Sequence, residues 1–261
     1  MTIGSTGTAA RAAQPVLGYE APWRWLEQGW SDLKANPTAS LGLGGLATFG
    51  GLAIALLLNA YGWASLLPVA AGGFALVAPM IAVGFYAVSR ARDAGEPARW
   101  TAIFAQPASG WSQIAFLGGV LLFAYIVWLR VAIMIFALFI QGDYPSLDAF
   151  ASYVLTQTDG LLMVTVGTIA GGIIATAVFS SMAFAIPMMV DRKLDAVTGV
   201  IFSIIEVRKH FKVMALWAWL IALITAVSCL LAFIPLVVAF PLLGHASWRA
   251  YQDVMGEGDP T

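Results

Sequence analysis

The chain has 261 residues, 60% of them apolar and only 10% charged, with a mean hydropathy of +0.85. About a quarter of a soluble domain is charged, so the composition excludes one and leaves room for five or six spans of about 20 apolar residues each. A net charge of −1 supplies no global field to recruit nucleic acid, and a single cysteine, Cys229, excludes an intrachain disulfide or a Cys-based metal cluster.

Residues 1–18, rich in Ala, Thr and Gly, read as a disordered tail without the apolar core of a signal peptide. Residues 19–255 read as one integral membrane domain and 256–261 as a second tail. In 19–36, Trp23, Leu26, Trp30 and Leu33 recur at helical spacing beside Arg24, Glu27, Asp32 and Lys34. Such a stripe suits either a helix in the headgroup layer or the first turn of a span.

The first span is expected over 41–59 and the second over 66–88, joined by the uncharged link around Tyr61-Gly-Trp63. Charge returns at Arg90, Arg92, Asp93, Glu96 and Arg99, and 100–111 forms a second aromatic connector. The third span, 114–140, contains Arg130. Its exit loop, 141–160, carries Asp143, Asp148 and Asp159 and no basic residue. The fourth span, 161–190, holds Gly167, Gly171 and Ala175, a small-residue groove for a neighbouring helix, inside the bundle in preference to a dimer interface. After the polar connector 191–212, the apolar run 211–243 is long for one span and short for two; two segments turning near 226–229 are expected.

Lipid offers no partner to backbone polar groups, so runs this long without alternation are helices. The fold class is an all-α transmembrane bundle, about six spans in three hairpins with connector helices. Twelve of the thirteen basic residues fall in the tail, the polar connectors or the C-terminal segment. Basic loops stay in the cytoplasm, which places both termini there if the spans number six, and the C-terminus with Arg249 outside if they number five.

Three segments echo one another: Pro79-Met-Ile-Ala-Val-Gly-Phe-Tyr86, Pro187-Met-Met-Val-Asp-Arg-Lys-Leu194 and Pro241-Leu-Leu-Gly-His-Ala-Ser-Trp248. Each marks the end of an even-numbered helix. A proline there removes a donor and bends the helix, which either opens a vestibule or is duplicated packing. Arg130, roughly 24 Å into its span at about 1.5 Å per residue, is either an outer-leaflet anchor pairing with Asp143, Asp148 or Asp159, or an anion site. Asp191, Arg192 and Asp195 are expected to meet Arg90 and Asp93 in an ion-pair cluster. His210 is expected to be solvated, and His245 to lie near Trp248 at the same face. Two histidines near one face do not make a haem pair across the bundle, and no spacing is diagnostic of a metal.

The segment 76–90 with Asp93-Ala-Gly-Glu96, the segment 186–192 with Asp195-Ala-Val197, and 241–251 together resemble the bacterial integral-membrane family catalogued as domain of unknown function 2189, over about 23–253. The resemblance implies a polytopic protein of the bacterial inner membrane and assigns no catalytic residue and no cofactor. Three readings follow: a non-enzymatic protein binding membrane lipids or a membrane-protein partner, a small-solute transporter or channel using the proline-bent helices, and an enzyme acting on lipid heads through Asp191, Arg192 and His245.

Overall fold

The structure, a computed structural model, describes residues 17–96, 100–140 and 145–256. Most of the expected tails, together with Arg99 and Asp143, lies outside them. Ten α-helices follow in order among the described residues: α1 (Ala21–Ala35), α2 (Pro37–Ala60), α3 (Leu67–Asp93), α4 (Trp111–Phe139), α5 (Leu147–Thr156), α6 (Thr158–Met182), α7 (Ala185–Asp191), α8 (Ala196–Lys209), α9 (Phe211–Leu230) and α10 (Leu236–Gly256). Local chemistry sets many of the boundaries. Prolines occupy the first two positions of α1, α2 and α3, where no amide partner is lost. Gly110, at φ 82°, turns the chain into α4. Asp195 caps α8 by accepting from the Thr198 amide at 3.0 Å.

Five helical segments are long and apolar enough to cross a membrane: Pro37–Ala60, Ala64–Asp93, Trp111–Phe139, Thr158–Asp191 and Phe211–Leu230. They expose large apolar side chains such as Phe49, Phe123, Ile169 and Ile173. Hydroxyls on these helices are satisfied within their own turns: Thr165 donates to Leu161 O and Thr176 to Gly172 O, at 2.8 and 2.7 Å.

Three hairpins form, α2 with α3, α4 with α6 and α7, and α9 with α10, but among the described residues five helical segments rather than the six expected are long and apolar enough to cross a membrane, and α10 is not one of them. The details differ from expectation in four places. The fourth span is not continuous; it breaks at Ala183-Phe184, upstream of Pro187, so α7 is a separate helix of about two turns. Pro79, by contrast, sits inside an unbroken α3. The loop 141–160 contains α5, which lays Phe150 against Phe136 (centroids 6.0 Å apart) and its Tyr153 hydroxyl on Phe139 O, building a small core at the far end. The last turn falls at 231–235 rather than 226–229, with Ala232 and Phe233 at positive φ. Phe233 lies against Gly51, nine residues before the end of α2. At about 1.5 Å per residue the third hairpin therefore stops about 13 Å short of the first.

The core is organised on α10. Between Leu236 and Met255 only Val238 is exposed. Gly29 of α1 lets that helix approach so closely that a Cβ would sit 2.7 Å from Ala246 N, and Gly44 does the same for α2 against Pro241. Phe85 of α3 packs edge-on to Phe240, and Trp25 of α1 edge-on to Trp217 of α9. The small-residue groove expected on α6 is used in part: Gly171 meets the Trp128 ring, whereas Gly167 faces open space.

Candidate functional site

The starts of α2 and α9 and the ends of α3 and α10 meet α1 at one end of the bundle, the basic end, where the end of α7 also reaches α10. The packed face of α1 is Trp25, Gly29, Asp32 and Leu33; Trp23 and Trp30 point outward. The stripe expected from Trp23, Leu26, Trp30 and Leu33 is thus divided: Trp23 and Trp30 lie on the outer face, whereas Leu33 is buried and Leu26 packs against the core. The helix turns its carboxylate, not its tryptophan pair, toward the bundle because that carboxylate has partners there.

Asp32 is 1% exposed and both of its oxygens are fully used. Arg249 of α10 grips it with two prongs, Nε to Oδ2 at 2.8 Å and Nη2 to Oδ1 at 2.7 Å. Arg92 of α3 adds a second guanidinium on Oδ1, and the Ser89 hydroxyl donates to Oδ2 at 2.9 Å. Asp93 completes the group by accepting from Arg249 Nη1, Trp248 Nε1 and Gln252 Nε2, at 2.8 to 2.9 Å. Two carboxylates face two guanidiniums, and forked arginine pairs of this kind are the strong ones. Burial works against the charge on Arg249, but Asp32 and then Asp93 outweigh it and hold the guanidinium above its usual pKa.

His245 continues the network inward. It is fully buried, with Nδ1 2.7 Å from Ser89 Oγ and Nε2 2.9 Å from Ser40 Oγ. The Ser89 proton is already given to Asp32, which as a carboxylate can only accept. Ser89 must therefore accept from His245, so the neutral ring carries its proton on Nδ1 and takes the Ser40 proton on Nε2. The hydrogen bonds run in one direction, Ser40 to His245 to Ser89 to Asp32. The ring lies outside the five spans. Burial pushes its pKa down to about 4; Asp32 pulls the other way, and Arg249 and Arg92 reinforce burial. Ser40 is itself fully buried, so this chain fixes helix positions rather than presenting a nucleophile.

A second set of contacts ties α7 and its exit to the neighbouring helices. Arg90 donates to Val190 O and, at 3.3 Å, to Gln106 O. Tyr251 donates to Asp191 at 2.7 Å; burial and then that bond push its phenol well above its usual range. Ser109 donates to Arg192 O and accepts from Leu194 N, while Gln113 accepts from Ala196 N.

The expected cluster of Asp191, Arg192, Asp195, Arg90 and Asp93 exists as a place, with different pairings. Asp191 and Arg192 form an ion pair at 3.7 Å, but Asp93 goes to Arg249, Arg90 to backbone carbonyls, and Asp195 to the α8 amide. Asp191 and His245 have separate partners and form no joint site. Trp248 and Pro241 belong to the face of α10 that packs on α3 and α2. His210 is largely buried and lies 3.5 Å from Glu206, so it is not the solvated residue expected. Arg130 is exposed on α4, and no described residue, including Asp148 and Asp159, forms an ion pair with it. Asp32, Ser40 and Ser89 were missed as site residues; the available signal was that Trp25, Gly29 and Asp32 share one face of α1.

Residues 66–191 match the family model described as "Predicted integral membrane protein (DUF2189)". The match runs from the start of α3 to the end of α7, taking in Arg90, Asp93 and Asp191 and leaving out α1, α2 and α10. The resemblance seen in the sequence stands over that stretch, narrower than the 23–253 first read. No curated protein and no solved structure matches the chain. With five long apolar helices behind the family match, the protein is an integral membrane protein.

Proposed function

We propose that the protein is a non-enzymatic membrane protein that binds lipid or a membrane partner through its basic end, with that end and both termini in the cytoplasm. The observation that carries the reading is a contrast at that end. Inward-facing charges are spent on one another, while an outward collar of Tyr19, Trp23, Trp30, Phe104, Trp111 and Phe211 is exposed. Lys34, Lys193, Arg208, Lys209 and Lys212 are exposed among or beside them. Amphipathic rings settle at the headgroup level, and each basic residue near an anionic surface is worth about 1 kcal/mol.

Packing favours this reading over transport. A vestibule between the proline-bearing helices would have to part Phe184, Ala185, Ile186, Met189 and Val190, all of them buried. The test is lipid retention after extraction into detergent. Neutralising Lys34, Lys193, Lys209 and Lys212 to Gln while changing Trp23 and Trp30 to Ala should cut co-purified anionic lipid several-fold. Unchanged lipid content in a folded variant would overturn the proposal.

A further inference from the structure

Beside the ion-paired network lies a cleft of about 410 Å³ between the end of α3 and the short helix Trp100–Phe104. Volumes of this order are typical of small-molecule sites. One wall is Ala87, Ala91 and Ala94, one face of α3 at helical spacing; Ala102 and Ala105 stand opposite. Three polar residues line the same cleft: Arg90, Glu96 and Thr101.

The position of Glu96 is dictated by the run Asp93-Ala-Gly-Glu96. Gly95, at φ 73°, ends α3 in the left-handed conformation, and the Glu96 amide returns to Ala91 O at 2.9 Å. That paired turn fixes the residue after the glycine against the last turn of the helix. Arg90 is fixed from the other side by Val190 O and Gln106 O. Those bonds use two of the five N–H donors of its guanidinium. Opposite charges share one cleft, yet among the described residues no ion pair joins Arg90 to Glu96. The α3 carbonyl end, whose partial charge favours a cation, lies on the Glu96 side.

We infer that this cleft binds a zwitterionic aminophosphate headgroup, its phosphate on Arg90 and Thr101 and its ammonium on Glu96. The inference deepens the proposed lipid binding and rests on it. An anionic phosphate without an amine would meet the Glu96 carboxylate unscreened. A quaternary amine would lack the N–H donors that a carboxylate takes. A primary amine joined to a phosphate satisfies both ends.

The test uses the full chain in nanodiscs of equal phosphatidylethanolamine and phosphatidylglycerol, released into detergent and read by native mass spectrometry. The basic collar holds the glycerol lipid in every form of the protein, so the readout is the ratio of retained ethanolamine to glycerol lipid. Glu96→Gln, at an exposed position, should lower that ratio about threefold, the scale of one exposed ion pair, while total retained lipid stays the same. A ratio unchanged in Glu96→Gln overturns the headgroup assignment and leaves the proposed lipid binding standing. No retained lipid in wild type overturns both. A parallel arm adds soluble O-phosphoethanolamine or inorganic phosphate to lipid-stripped protein. Saturable binding of the first alone, lost in Glu96→Gln, would support the same chemistry with a free headgroup as its source.

Discussion

Helices α6 and α10 both carry the proline echo or lead into it, and they solve opposite problems. α6 is apolar along nearly its whole length and is the most open to the surroundings, with Leu161, Ile169 and Ile173 all more than half exposed. α10 carries His245, Arg249, Tyr251, Gln252 and Asp253 and, between Leu236 and Met255, has a single exposed residue. In water the more apolar helix would be inside. In lipid, tails are as apolar as leucine, so apolarity alone gives a helix no reason to be buried. What must be buried is whatever needs a partner: each of those five α10 side chains finds one on α1, α2, α3, α7 or α10 itself.

If that contrast is right, polar substitutions along α10 and its partners are severe and those on α6 are mild. The largest effect is expected at Asp32. Asp32→Ala strands two guanidiniums, and breaking a buried pair by removing one partner costs about 3–5 kcal/mol. Thr165→Val or Thr176→Val on α6 removes only a local hydroxyl bond and should stay within about 1 kcal/mol. Unfolding midpoints in one detergent, measured side by side, decide it. Equal losses at the two places would break the contrast.

The second test is pH. The folded pKa of His245 lies near 4, below the ordinary value of 6.5, so the unfolded chain binds the extra proton more readily. Stability from this group is therefore complete above pH 6.5 and is lost as pH falls toward 4, by about 3 kcal/mol at 1.36 per pH unit. A midpoint-versus-pH curve should slope over that window in wild type and lose most of the slope in His245→Gln. A slope of equal size in the variant would assign the acid sensitivity to other groups.

The difference between α6 and α10 also explains what could be read from residues alone. Span positions, the polar connectors and the gathering of Arg90, Asp93 and Asp191 at one end were legible, because each is a property of local composition. The break between α6 and α7 was not, because it falls at Ala183-Phe184, upstream of Pro187, and has no glycine or proline of its own. Nor was the role of Asp32. A lone acid on an aromatic-rich helix looks like a solvated face until Arg92, 60 residues on, and Arg249, 217 residues on, are brought to it. The α9–α10 turn was misplaced because 226–235 offers only Pro235 as a breaker, and positive φ at Ala232 and Phe233 has no sequence signature.

The smallest effect tests backbone approach rather than charge. α1 and α10 touch at Gly29, where a methyl group would stand 2.7 Å from Ala246 N and 3.0 Å from its Cα. Those are backbone atoms of a buried helix and cannot rotate away, so Gly29→Ala should cost about 1–3 kcal/mol as overpacking does. On α6, a methyl group at Gly167 or Gly172 meets nothing within 4 Å. There the substitution removes only the conformational penalty of glycine in a helix and should be neutral or stabilising by up to about 1 kcal/mol. The same chemical change thus carries opposite signs on the two helices. Finding Gly29→Ala neutral would mean that α1 can shift along α10, and the Asp32 network would then have to tolerate that shift. Loss at Gly167 would mean that a further helix or a second copy of the chain covers that face.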